Sequence, residues 1–222
     1  MSDAERQWFE VDGYFTEQLR PADRVLTKAI RDGSALPQIQ VSDLLAGFLS
    51  VLARSAGANR ILEIGTLFGY STIHLARALT PGGSLISLEF SPEHAQVARG
   101  NIERAGLDDR VQVIEGAAMD TLPTLADSGA FDLVFIDADK ENNPGYLQWA
   151  LELTRPGSVI VVDNVVHGGD IVEPSSEAPA VLGTQSMVDS IGTAVRAGRL
   201  DATALQTVGS KGYDGVLVAY VL

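Results

Sequence analysis

Two separated oxygen-rich clusters, Asp137-Ala138-Asp139-Lys140 and Asp163-Asn164, are the residues of this chain best suited to chemistry. Each follows a short apolar run that reads as a buried parallel strand: Phe131-Asp132-Leu133-Val134-Phe135-Ile136 and Ser158-Val159-Ile160-Val161-Val162. Ligands of open α/β sheets bind beyond the carboxyl ends of the strands, so both clusters are expected at one edge. Asp137, Asp163 and Asn164 then offer two carboxylates and an amide oxygen, hard donors suited to a divalent cation such as Mg²⁺. Lys140 beside them could take a proton from whatever that cation holds. Neighbours within a strand point to opposite faces, so Asp163 and Asn164 reach one cation only if the strand ends near Val162. Gly168-Gly169 downstream supply the flexibility for such a turn.

The elements that must position these groups follow a strand–helix rhythm. Arg60 to Ile64 leads to a helix over 71–79, Ser84 to Glu89 to a helix over 92–105, and Val111 to Glu115 to a short helix over 119–125. The strand ending at Ile136 leads to a helix over 144–154. Such alternation predicts an α/β fold with a mostly parallel, doubly wound sheet and helices on both faces. Ahead of it, apolar residues at helical spacing predict two helices in the first ~35 residues, separated at Pro21, and a third over 42–56. At the other end, Ala202–Val208 and Val216–Leu222 are joined only by residues 209–215, too few for a parallel crossover. The last of seven strands therefore runs antiparallel.

The turn Gly65-Thr66-Leu67-Phe68-Gly69-Tyr70-Ser71 narrows the ligand. Leu67 occupies the position where a dinucleotide fingerprint needs its second glycine, so a pyrophosphate is disfavoured. Glu63, just before the turn, suits an ammonium, while Ser71 and the following helix start suit a carboxylate. Glu89 closes the next strand, where an acid typically bonds ribose hydroxyls. Ammonium, carboxylate and ribose together describe S-adenosylmethionine better than NAD.

On these residues the chain resembles the cation-dependent class I O-methyltransferases of the catechol and caffeoyl-CoA group, with a Rossmann-like fold. Leu62-Glu63-Ile64-Gly65-Thr66 with Gly69-Tyr70-Ser71-Thr72 looks like that family's cofactor loop. Residues 131–140 and Val162-Asp163-Asn164-Val165 look like its two metal segments. The resemblance implies that Glu63, Gly65, Thr66, Ser71, Glu89, Ala118 and Asp139 contact S-adenosylmethionine, with Val41 near its methionine part and Asp137 at the shared boundary. It implies Asp137, Asp163 and Asn164 as ligands of Mg²⁺ or another divalent cation, and Lys140 as the base. It also implies a homodimer, the helices of residues 1–56 serving substrate or subunit contacts and 57–222 forming the catalytic core of a single domain.

The bounds agree. The chain has 222 residues, 16 basic against 29 acidic, for a formal charge of −13, which disfavours nucleic acid as a partner. Cysteine is absent, removing thiol catalysis and disulfides. No apolar run approaches the ~18 residues of a membrane span, so a soluble, cytoplasmic enzyme is expected. His74, His94 and His167 share no spacing and read as surface or solvent-facing groups. The acceptor is expected to be a small phenol with vicinal hydroxyls, shaped by the N-terminal helices, Asn142-Asn143 and a loop over 166–184. A natural-product hydroxyl or a caffeoyl-type conjugate is the alternative, but no basic cluster marks a coenzyme A phosphate site. A nicotinamide oxidoreductase would leave Asp163-Asn164 without a role, and a non-catalytic S-adenosylmethionine-binding protein would not need Lys140.

Overall fold

The computed structural model describes residues 2–222. Three helices come first: α1 (Asp3–Leu19), α2 (Arg24–Asp32) and α3 (Asp43–Ser55). Their starts are fixed by side chains that satisfy otherwise unpaired amides. Asp23 accepts from Val25 and Leu26 N–H at 2.8 and 3.1 Å, and Ser42 from Leu45 N–H at 3.2 Å. The core then alternates: β1 (Arg60–Ile64), α4 (Tyr70–Ala76), β2 (Ser84–Glu89), α5 (Pro92–Arg104), β3 (Val111–Glu115), α6 (Ala118–Thr121), β4 (Phe131–Ile136), α7 (Asn143–Glu152) and β5 (Thr154–Asp163). The chain ends with α8 (Pro179–Arg196), β6 (Leu200–Gly209) and β7 (Gly212–Val221).

The seven strands lie in the order β3-β2-β1-β4-β5-β7-β6, with β7 antiparallel to both neighbours. The continuous apolar runs are needed because both sheet faces are covered. Along β4, Leu133 and Phe135 join a core with Leu49 of α3, Ile73 of α4 and Ala98 of α5. Val134 and Ile136 join the opposite core with Leu147 of α7 and Met187 and Ile191 of α8. The order reverses between β1 and β4, which places a crevice at their carboxyl ends. Among the described residues no helix is long and apolar enough to cross a membrane.

Three elements differ from expectation. Helix α4 stops at Ala76, short of Leu79, because Arg54 takes the Arg77 carbonyl at 2.9 Å and Thr80 N–H bonds to Ala58 at 2.9 Å. Those bonds draw the chain back to the sheet. The terminal hairpin is tighter than a 209–215 link: pairing continues to Gly209 and Gly212, leaving Ser210-Lys211 as a two-residue turn, with Gly212 at φ 92°. Finally, β5 runs on to Asp163, and the turn falls on Asn164 itself, at φ 57°. Asparagine tolerates this left-handed conformation better than most residues. The change of direction therefore precedes Gly168-Gly169 and lets two adjacent residues face one cavity.

Gly65 sits where β1, β2 and β4 end. Its N–H bonds to Leu88 at 3.0 Å, and the preceding Ile64 carbonyl accepts from Asp137 N–H at 2.8 Å. At φ 102°, a Cβ on residue 65 would lie 2.1 Å from the Asp137 carbonyl oxygen. Gly65→Ala is expected to lower the unfolding free energy by about 2–4 kcal/mol in urea titration, since it combines a strained backbone with a backbone collision.

Candidate active site

A cavity of about 1320 Å³ opens over the carboxyl ends of β1, β2, β4 and β5. Val41, Gly65, Thr66, Ser71, Glu89, Ala118, Asp137, Asp139, Lys140, Asp163 and Asn164 all line it. The sheet edge thus brings together every residue expected at the cofactor, metal and base positions except Glu63.

On the β1–β2 side, the groups for the donor are already oriented. Glu89, almost buried, accepts from Thr66 and Leu67 N–H at 3.1 and 2.7 Å through Oε2 and from Ser91 N–H at 2.9 Å through Oε1. Its carboxylate therefore stands fixed at the strand end while it pins the glycine turn. His94 Nδ1 lies 3.3 Å from Glu89 Oε1. Glu63 is 0% exposed and lies behind the cavity wall. It accepts from Ser71 Oγ and Ser87 Oγ at 2.6 Å each and from Thr72. Burial pushes its carboxyl up to about 7, against the lowering effect of those hydroxyls. Glu63 does not itself line the cavity. Glu63 orients Ser71, and Ser71 lines the cavity.

On the β4–β5 side, Lys140 Nζ donates to Asp137 Oδ1 at 2.9 Å. Asp139 turns the other way, accepting from Tyr146 Oη at 2.5 Å and from Asn142 Nδ2. Burial, and then the charge of Asp137, push the Asp163 carboxyl up to about 7, with Lys140 opposing. Two carboxylates sharing one lysine in a half-dry crevice leave negative charge uncompensated, which suits a divalent cation. Asn164 Nδ2 donates to Asp214 Oδ2 at 3.1 Å, which leaves Oδ1 free to accept from or ligate another group. The donor set is thus two carboxylates and one amide oxygen. Among the described residues no three His, Cys, Asp or Glu side chains form a metal cluster by themselves.

Sequence reasoning missed Asp214. From β7 its Oδ1 accepts from Val166, His167 and Gly215 N–H at 3.0, 3.2 and 2.8 Å while Oδ2 holds Asn164. It is the post that fixes the turn after β5. Its only sequence signal is its place between Gly212 and Gly215 in a hairpin, which shows nothing of a neighbour 50 residues away. The loop expected over 166–184 is a second correction. A short 3₁₀ segment covers His167–Val172 and α8 starts at Pro179, whose fixed φ suits a first helical position. No residue from 165 to 204 lines the cavity; Leu205, Thr207, Val208, Lys211 and Gly212 of the last hairpin do. Asn142 lines it too, whereas Asn143 is buried and donates to Thr184 Oγ1 at 3.2 Å. His74 is also not at the surface: it is buried, with Nδ1 3.2 Å from Arg20.

Glu63 makes one expectation about pH testable. Its folded carboxyl holds a proton that the unfolded chain has lost, so stability falls as pH rises from 4.5 to about 7 and then levels off. Glu63→Gln removes that ionisation. Urea unfolding should show the variant gaining on the wild type by on the order of 3 kcal/mol between pH 4.5 and pH 8; a pH-independent difference would contradict a buried titrating carboxyl.

Comparison with known proteins agrees with this geometry. The model of a family described as O-methyltransferase matches residues 19–201. A catechol O-methyltransferase of Mycobacterium tuberculosis is 51% identical over 217 residues, spanning 96% of this chain and 95% of that protein. An O-methyltransferase from Bacillus cereus, solved in complex with SAH, matches with a TM-score of 0.95 at 48% identity over 98% of this chain and 99% of that one. TomG from Streptomyces achromogenes, involved in tomaymycin synthesis and solved in complex with SAM, gives 0.93 at 42% identity over 100% and 99%. With likeness of this extent in sequence and in fold, the chain is an enzyme that belongs to the O-methyltransferase family.

Proposed function

We propose that this enzyme moves the methyl group of S-adenosylmethionine to one hydroxyl of a small aromatic acceptor with vicinal hydroxyls, assisted by a divalent cation such as Mg²⁺. The observation that carries this reading is the shared cavity: Ser71 and Glu89 stand on one side of it, and Asp137, Lys140, Asp163 and Asn164 on the other. Relatives solved with SAM or SAH support the donor, and the catechol O-methyltransferase relative supports the acceptor class.

The chemistry asked of these residues is limited. The acceptor oxygen attacks the methyl carbon in line, the carbon–sulfur bond breaks, and a neutral thioether leaves. Catalysis is then mainly positioning plus removal of the acceptor's proton. Glu89 would bond the ribose hydroxyls, and Ser71 with the start of α4 the amino-acid end. Asp137, Asp163 and Asn164 would hold the cation, which when bound makes a vicinal diol more acidic and fixes its two oxygens. Lys140 would take the hydroxyl proton, once Asp137 is engaged and its own bond to that carboxylate is released. A phenol with a pKa near ~10 is mostly neutral at pH 7, so that removal matters. Phe9, Tyr14, Phe15 and Leu19 of α1 remain exposed and supply an apolar face on which a second copy would pack as a homodimer.

Two outcomes test this. With labelled S-adenosylmethionine, turnover of catechol should vanish in EDTA and return with Mg²⁺ or Mn²⁺, while phenols with a single hydroxyl react poorly throughout; full activity in chelator would place the oxygen cluster in a structural role. Lys140→Ala should lower kcat by roughly 10²–10⁴-fold, with S-adenosylmethionine affinity near normal by calorimetry. A wild-type kcat in that variant would move the proton transfer to another group.

A further inference from the structure

The residues lining the cavity are strongly unbalanced in charge. Asp12, Glu89, Asp137, Asp139, Asp163 and Asp214 stand against two lysines, Lys140 and Lys211. Lys140 is committed to Asp137. Among the described residues Lys211 has no ion pair: its ammonium donates to the backbone carbonyl of Gln38 at 3.1 Å. An ammonium carries three donors, so two remain available. Partial burial holds Lys211 below the usual lysine range, with the charge of Asp43 opposing, and Asp43 is itself engaged by the Tyr70 hydroxyl.

The position of Lys211 is fixed from both sides. It sits in the two-residue turn between β6 and β7, and the neighbouring Ser210 N–H donates to Asp12 Oδ2 of α1 at 2.7 Å. Three residues further along, Asp214 grips Asn164 at the candidate cation site. Strand residues 212–214 span roughly 10 Å, which sets Lys211 at the far end of that span from Asp214, with Lys211 and the oxygen cluster lining one cavity. Ile39, Leu205 and Val208 supply apolar wall nearby.

We propose that Lys211 is an anion subsite of the acceptor cavity, and that the preferred acceptor is a vicinal-diol aromatic bearing one carboxylate at the end remote from its hydroxyls. This rests on the catechol-type reading above and narrows it. One ammonium among several carboxylates selects a single negative charge. A polyphosphate would meet Asp12 and Asp214 with no second free cation, so a nucleotide-linked conjugate does not fit. The carboxylate would replace a lysine–carbonyl bond with a charge-assisted one between two ions.

The test compares 3,4-dihydroxybenzoate with its methyl ester and with catechol, using the full-length enzyme and Mg²⁺. Wild type should show kcat/KM for the acid about threefold to fivefold above the ester, carried by KM, a size typical of one exposed charge pair. Lys211→Met should bring that ratio near one, Lys211→Glu should invert it, and Lys211→Arg should largely keep it. Since the acid-to-ester preference is read in wild type first, a variant that folds poorly does not decide the matter. Methylation of catechol with no preference for the acid, or an unchanged ratio in Lys211→Met, overturns the subsite alone. Failure of wild type to methylate any vicinal diol overturns the catechol reading and the subsite together.

Discussion

The active edge of this enzyme depends on how closely two backbones pass at Gly65 and Asp137. Only a residue without a Cβ lets the end of β1 approach the Asp137 carbonyl, and the Asp137 amide closes the contact on Ile64. That crossing joins the donor half of the cavity to the half that holds the oxygen cluster. Separation of the two segments by even one methyl group would shift the donor turn relative to Asp137 and Lys140. Methyl transfer in line tolerates little of that kind of error.

Around this crossing, three acids, two of them buried, act as fasteners. Glu63 gathers Ser71, Thr72 and Ser87, Glu89 gathers the amides of Thr66, Leu67 and Ser91, and Asp214 gathers those of Val166, His167 and Gly215. Each turns a flexible loop into a surface with set direction before any ligand arrives. An acceptor that takes several hydrogen bonds at once resists displacement better than any single bond would. The chain's acidity is therefore partly structural, and its net charge of −13 is not only a matter of solubility.

Much of this was legible in the sequence. The strand–helix rhythm located the five parallel strands, and the missing glycine at Leu67 turned the reading away from dinucleotides. Asp137, Lys140, Asp163 and Asn164 stood out because strand ends at one sheet edge are few and chemically exposed. What stayed hidden depends on contacts distant in the chain. Asp214 looks like a turn residue until β7 is placed beside β5. Glu63 shows its acid in the sequence but not the three hydroxyls, Ser71, Thr72 and Ser87, that engage it. The 166–184 segment reads as a loop by its glycines and prolines, yet Pro179 begins a helix that packs against the far side of the sheet. One wall of the cavity belongs to the terminal hairpin, and local pattern could identify that hairpin but not its neighbours.

The bond between Asp12 and Ser210 joins positions 198 residues apart, the first helix and the final hairpin. Contacts of such long sequence separation are formed slowly, because the loop-closure entropy is met before the contact rewards it. The Gly65 and Glu89 turns, with the Asp137 segment they lean on, all lie before position 140, well ahead of the last strand in the chain. The wall that carries Asp12 and the final hairpin is finished only when the first helix meets that hairpin. A change confined to the Ser210–Lys211 turn would thus alter one wall of the cavity while leaving the Gly65–Asp137 crossing in place.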